Sequence, residues 1–188
     1  SFQLSFLFLL SFNINAQQSF YWIGGDGAWN VATNWSSTSG GAPDKVFSPT
    51  QNDNVYFDAG SFNTSAIDID IDGDAFCHDL ICDSLPYSIE LDIDNDLYIS
   101  GSLNLKPGFN FNGNNVVYFN SDSAGEKIDF SGNHIYKDLE LRLIGNGNWD
   151  LEDSISMLIS TSNLNYNDDG YITVEKGVLK TNGNIIKA

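Results

Sequence analysis

The feature that most constrains the fold is a segment that recurs along the chain. Residues 66–74 (AIDIDIDGD) align without a gap on residues 88–96 (SIELDIDND), and we call this spacing the short offset. Residues 69–80 align in the same way on residues 128–139, and we call this spacing the long offset. Repeats with a spacing like the short offset are typical of solenoids, in which each unit buries its apolar face only against its neighbours. We therefore expect one structural unit that is stacked repeatedly along an axis.

The units themselves have the pattern of β-strands. From about residue 65 onward, short runs of Ile, Leu, Val, Tyr and Phe alternate with polar residues and are bounded by Gly, Asn and Asp. A β-sandwich is one arrangement for such strands, but the short offset favours three short strands per turn of a coil. The sequence thus predicts an all-β protein, a right-handed parallel β-helix. We expect Ile69 in register with Ile89 or Leu91, and Ile128 about three rungs further on.

Three regions follow one another. Residues 1–16 read as a signal peptide that is truncated at its start, because a short apolar run ends at the small residue Ala16; a buried first strand is the alternative. Residues 17–64 form a Trp/Gly-rich N-terminal cap, and residues 65–188 form the solenoid rungs. The strand pattern runs to the last residues, so we expect rungs beyond residue 188, since an uncapped solenoid exposes a bare sheet edge.

The charge of the chain limits its partners. It has 8 Lys and Arg against 25 Asp and Glu, a formal net charge of −17. Nucleic acid and anionic membrane surfaces attract the opposite sign, so neither is expected as a partner. No membrane insertion is expected after signal cleavage. Surface glycans and other cell-surface proteins remain as candidate partners.

A group of carboxylates has the spacing of a calcium loop, with Gly73 at the bend: Asp68, Asp70, Asp72, Asp74 and Asp79. The alternative is a strand with Ile inward and Asp outward. In that case stacking would bring two acidic rows within about 5 Å of each other. Such an approach raises carboxylate pKa values or attracts a cation, so Ca²⁺ is the one possible cofactor.

Three tryptophans, Trp22, Trp29 and Trp35, are concentrated in the N-terminal block. They predict a buried cap on the first rung, because Trp is usually largely buried; an exposed carbohydrate-binding platform is the alternative. Cys77 and Cys82 could form a disulfide after export. Residues at this spacing in a straight strand lie about 16 Å from each other, so a bridge would need a turn, and two buried thiols are the other possibility.

Signals for catalysis are poor. His78 and His134 do not occupy equivalent repeat positions, and the sequence contains no nucleophile elbow or phosphate-binding loop. Arg142, the single Arg, is expected to project from a strand into solvent. We therefore predict a non-catalytic protein, with a calcium-dependent polysaccharide lyase as the least favoured possibility.

Residues 21–36 (YWIGGDGAWNVATNWS), followed by GGAP at 40–43 and DNVYFD at 53–58, carry a family resemblance. They resemble the N-terminal entry block of large secreted, adhesin-like β-solenoid proteins of Bacteroidota and of autotransporter-type β-strand-repeat proteins. The resemblance implies export, often by type IX secretion, and a structural or adhesive role at the bacterial cell surface. The family has no accepted catalytic residues, so none is carried over. The alternative function is a carbohydrate-binding module of a polysaccharide-degrading system that uses the three tryptophans.

Overall fold

The computed structural model describes residues 16–62, 67–133, 135–136, 139–158 and 171–187. In these ranges the chain is nearly all β, and its parallel strands stack turn upon turn into a β-solenoid. The predicted fold class is thereby confirmed. The predicted signal peptide lies outside the described residues, apart from Ala16. Within the described ranges no helix combines the length and the apolar character needed to cross a bilayer.

The strands follow one another in a fixed cycle around three sheets, A, B and C. The entry block holds β1 (Ser19–Trp22), β2 (Gly27–Ala28) and β3 (Trp35–Ser36), with short 3-10 turns at Ala32–Asn34 and Ala59–Ser61. The following strands are β4 (Asn54–Phe57), β5 (Ile67–Asp70), β6 (Ala75–Cys77), β7 (Leu80–Cys82), β8 (Ile89–Ile93), β9 (Leu97–Ile99), β10 (Leu103–Asn104), β11 (Phe109–Gly113), β12 (Val116–Phe119), β13 (Ala124–Asp129), β14 (Ile135–Tyr136), β15 (Glu140–Leu143), β16 (Asn148–Leu151), β17 (Ile155–Leu158), β18 (Ile172–Val174), β19 (Val178–Lys180) and β20 (Ile186–Lys187).

Each sheet collects every third strand of this cycle. Sheet A has the order β3-β1-β4-β7-β10-β13-β16-β19, sheet B runs from β2 through β5, β8, β11, β14 and β17 to β20, and sheet C contains β6, β9, β12, β15 and β18. The strands are parallel except for β3, which pairs antiparallel with β1. Among the described residues sheet C therefore begins one turn later than the other two sheets, because the chain between β2 and β4 makes β3 and a long loop instead.

The core lies between the three sheets and follows from the alternation in each strand. In β5 the side chains of Ile67 and Ile69 are buried, and the aspartate that follows each of them is exposed. Ile69 pairs with Leu91, which pairs in turn with Phe111, so each apolar side chain packs on its equivalent in the next turn. The predicted register of Ile69 with Leu91 is confirmed.

The long offset does not mark equivalent positions. Ile128 lies in β13 of sheet A, where it pairs with Leu103 and Leu151, whereas Ile69 lies in sheet B. The position three turns after Ile69 is Ile135. The expectation for Ile128 was wrong because the long offset ends before Ile135 by about one strand and its corner, so it is not a whole number of turns. A similar strand–turn texture therefore recurs on a different face of the solenoid.

The corner between sheets B and C requires a glycine where β11 ends. Gly113 pairs with Ile93 of the preceding turn and has a φ of +109°. A Cβ atom at this position would lie 2.5 Å from the Ile93 carbonyl oxygen. Both the backbone conformation and the close approach of the two turns therefore exclude a side chain here.

Candidate functional site

The three tryptophans of the entry block form one buried cluster. Trp22, Trp29 and Trp35 are all 0% exposed, and the Trp35 ring meets the other two edge-to-face at centroid distances of 5.0 and 4.9 Å. The Trp35 Nε1–H donates to the Trp29 carbonyl oxygen at 2.8 Å, and the Trp22 Nε1–H donates to the Gly25 carbonyl oxygen at 3.1 Å. The predicted burial of the cap is confirmed. The alternative of a sugar platform is corrected, because buried indoles have no face to offer a sugar ring.

The glycines of the entry block allow this cluster to form. A Cβ atom on Gly24 would lie 2.7 Å from the Cβ of Asn34 and 2.9 Å from the Trp22 ring. Asn34 in turn donates its Nδ2–H to the Ala28 carbonyl oxygen at 2.9 Å, which holds the loop over the first turn. The close packing therefore depends on the absence of a side chain at Gly24.

The five carboxylates of the predicted calcium loop do not converge on one point. Asp68 and Asp70 lie on the outer face of β5, and Asp72 and Asp74 lie in the turn that follows. Asp79 lies at a different corner, where its carboxylate accepts from the Ser102 N–H at 2.8 Å and contacts the His78 ring. The loop prediction failed because an extended strand separates residues that a calcium loop would bring together.

A different acidic set converges between neighbouring turns. Asp68, Glu90 and Asp92 each place a carboxylate oxygen within 4.8 Å of the others. In the strand register Asp68 pairs with Glu90, and Asp70 pairs with Asp92. We call Asp68, Asp70, Glu90 and Asp92 the acidic ladder. The expectation that stacking brings two acidic rows together is confirmed, whereas Ca²⁺ binding stays a prediction.

The electrostatics of the acidic ladder follow from this stacking. Partial desolvation by the surrounding protein, and then the charges of the neighbouring carboxylates, raise the pKa of Asp70 and of Asp92. The next turn contributes Asn112, whose Nδ2 donates to Glu90 at 2.6 Å and to Asp92 at 2.8 Å. The ladder can therefore retain a proton or attract a cation, and the Asn112 amide offsets part of the repulsion.

The outer face of sheet C carries a row of aromatic rings that the sequence analysis missed. Phe76, Tyr98 and Tyr118 follow one another in register, with centroid distances of 5.0 and 4.6 Å and interplanar angles of 14° and 7°. The Arg142 guanidinium lies 5.6 Å from the centroid of the Tyr118 ring and continues the row. The signal was present in the spacing, because the three aromatic positions recur one turn apart.

A groove opens beside the first ring of this row. Its volume is about 560 Å³, and its lining includes Asn30, Phe47, Gln51, Asn52, Asp74 and Phe76. We call it the Phe76 groove. It lies where the described part of the first turn contributes no strand to sheet C, so the loop before β4 forms the opposite wall.

The residues considered for catalysis are engaged in structural contacts. Arg142 projects from the outer face of β15, as expected, and its Nε and Nη2 donate to the Glu140 carboxylate at 2.8 and 2.5 Å. Burial alone would raise the pKa of Glu140, yet the hydrogen bonds and charge of Arg142 lower it overall. His78 contacts Asp79 at 3.0 Å, and His134 lies outside the described residues. These contacts hold corners and strands together and leave Arg142 tied to a carboxylate.

The two cysteines are free and buried. Burial raises the pKa of the Cys77 thiol strongly and raises that of the Cys82 thiol to about 11. They lie on different sheets, in β6 and β7, and each fills a core position. The structure therefore has two buried free thiols at Cys77 and Cys82 and no disulfide between them.

Comparison with family models, with curated proteins and with solved structures finds no match to this chain. The resemblance of residues 21–62 to an adhesin-type entry block therefore stays a prediction.

Proposed function

We propose that this chain is a non-catalytic structural or adhesive module of an exported cell-surface protein. The observation that carries the proposal is the stack of parallel turns closed at its N-terminal end by the tryptophan cap. In such an array each turn contacts only its neighbours, so the stack forms a rod with long lateral faces. A rod of this kind can display contact surfaces at a distance from the cell.

The composition of the lateral faces supports the same function. A net charge of −17 keeps exposed β-sheet soluble and limits association between copies of the chain. The acidic ladder lies on sheet B, and the aromatic row lies on sheet C, so two faces with different chemistry extend along the axis. The apolar run in residues 2–12 supports export.

The non-catalytic part of the proposal is supported by the contacts of the basic residues. A lyase that acts on acidic polysaccharides needs a base beside its substrate. The guanidinium of Arg142 is held by Glu140, and the His78 ring is held by Asp79. Each group is paired with a carboxylate close by in the chain.

The test combines adhesion with a search for products. Microspheres coated with the purified chain are passed over immobilised bacterial or host surface glycoconjugates, and their retention is compared with that of microspheres coated with the Trp35→Ala variant, which disrupts the cap. In parallel, polysaccharides are incubated with the chain, with and without calcium, and new reducing ends and unsaturated sugars are measured. We expect retention that requires the folded cap, and polysaccharides of unchanged length. New products formed by the folded chain, or equal retention of both coatings, would overturn the proposal.

A further inference from the structure

We propose that the Phe76 groove binds one terminal residue of a neutral glycan. This goes beyond the scaffold role, because a solenoid can serve as a rod without any ligand. The site is distinct from the three buried tryptophans.

The Phe76 ring supplies an aromatic face that is ordered before any ligand arrives. One face of the ring stacks on Tyr98 at a centroid distance of 5.0 Å, and Tyr98 stacks on Tyr118 in the same way. The far end of the row is closed by Arg142, whereas Phe76, 37% exposed, belongs to β6, the first strand of sheet C among the described residues. The free face of the ring is therefore presented to the groove. An ordered ring loses little conformational entropy when it binds the apolar face of a sugar.

The opposite wall of the groove is also held in place. The Asp53 side chain, 3% exposed, accepts hydrogen bonds from the backbone N–H of Thr50 at 3.0 Å and from its Oγ1 at 2.6 Å. On the other side of the groove, the Asn30 Nδ2 donates to the Gly73 carbonyl oxygen at 3.0 Å, which fixes the plane of its amide. The fold thus positions the loop wall at Thr50 and the amide of Asn30.

The lining favours a neutral sugar over other ligands. Asn30, Gln51 and Asn52 provide amide donors and acceptors, and Asp74 provides a carboxylate, a combination that suits hydroxyl groups because a hydroxyl both donates and accepts. An ammonium group only donates and a quaternary ammonium group neither donates nor accepts, so either would leave the amide N–H groups without acceptors. The lining residues that the structure describes include no Lys or Arg, and the overall charge is −17, so acidic sugars are disfavoured. The volume of about 560 Å³ lies within the range of small-molecule sites, about 300–1,000 Å³.

The experiment uses the whole purified chain and a panel of neutral, acidic and amino-group-bearing oligosaccharides, with a trimethyllysine peptide as the cationic probe. Saturation-transfer NMR identifies the binders, and calorimetry then measures their affinity. We expect neutral oligosaccharides to bind, and Phe76→Ala to weaken that binding by about tenfold or more. Tyr118→Ala is the matched control, because it removes an aromatic ring from the same row at the end away from the groove. Phe76→Trp should retain binding.

The outcomes separate clearly. The proposal is wrong if the wild-type chain binds no neutral oligosaccharide of the panel, or if Phe76→Ala binds as tightly as the wild type. Preference for the trimethyllysine peptide would make the groove a cation site instead. Circular dichroism of each variant verifies the fold, and Asn52→Ala provides a second groove variant that does not touch the aromatic row. None of these results affects the scaffold role, which is tested by adhesion and by the search for products.

Discussion

Replacing Trp35 should remove the N-terminal cap and reveal how much the first turn depends on it. The Trp35 ring lies between four other aromatic residues, Phe20, Trp22, Trp29 and Phe57, at centroid distances of 4.9 to 6.3 Å. Truncation of a buried aromatic side chain to alanine costs about 3–5 kcal/mol. It also leaves the Trp29 carbonyl oxygen buried without its donor, which adds about 1–3 kcal/mol. We expect Trp35→Ala to lower the free energy of unfolding by at least about 4 kcal/mol.

Two further variants separate the parts of this effect. Trp35→Phe keeps most of the ring but loses the Nε1–H donor, so it should cost about 1–3 kcal/mol. Tyr118→Ala removes an outer ring and should cost less than about 1.5 kcal/mol. Urea unfolding followed by far-UV circular dichroism gives the free energies, and hydrogen exchange should show the loss of protection concentrated in β1 and β3. If the free energy of unfolding of Trp35→Ala lies within about 1 kcal/mol of the wild-type value, the cluster does not act as a cap.

Three other predictions address the corner glycine, the acidic ladder and the thiols. Gly113→Ala should cost more than about 2 kcal/mol in urea unfolding, whereas Gly125→Ala, with a φ of +87° but no atom near the new Cβ, should cost about 1–2 kcal/mol; equal costs would contradict the close approach of the turns. Because burial and neighbouring charges raise the pKa of Asp92, folding favours its protonated form, and stability is lost as the pH rises through the raised pKa. Asp92→Asn should therefore be more stable than the wild type at pH 7, and the difference in melting temperature should shrink toward pH 4; a difference that does not change with pH would argue against the raised pKa of Asp92. The raised pKa values and burial of Cys77 and Cys82 should make both unreactive toward a thiol reagent at pH 8 until denaturant is added, and rapid labelling of the native chain would disprove their burial.

Much of the solenoid could be predicted because its signal is local. The alternation of Ile67 and Ile69 with aspartate determines which side of β5 faces the core, and the short offset places Ile69 on Leu91. The long offset misled because it reflects the alternation of apolar and polar residues in a strand and the turn that follows. This pattern is the same in all three sheets. Ile128 belongs to sheet A because the long offset falls short of three whole turns by about one strand.

The candidate sites were harder to predict because they are assembled from different turns. Glu90, which completes the acidic cluster, lies outside the predicted calcium loop and approaches Asp68 only through strand pairing. The rings of Phe76 and Tyr98 belong to successive turns and meet for the same reason. The groove depends on the described part of the first turn giving no strand to sheet C, and the spacing of the repeats says nothing about that omission.

The antiparallel strand β3 makes the two edges of sheet A different from each other. The outer edge of β1 is already hydrogen-bonded to β3, and β3 has only two residues, too few to template a further strand. Among the described residues, β3 therefore covers Tyr21 and Trp22 of β1 and shortens the free edge of sheet A at this end, which disfavours edge-to-edge contacts of the kind that lead to amyloid.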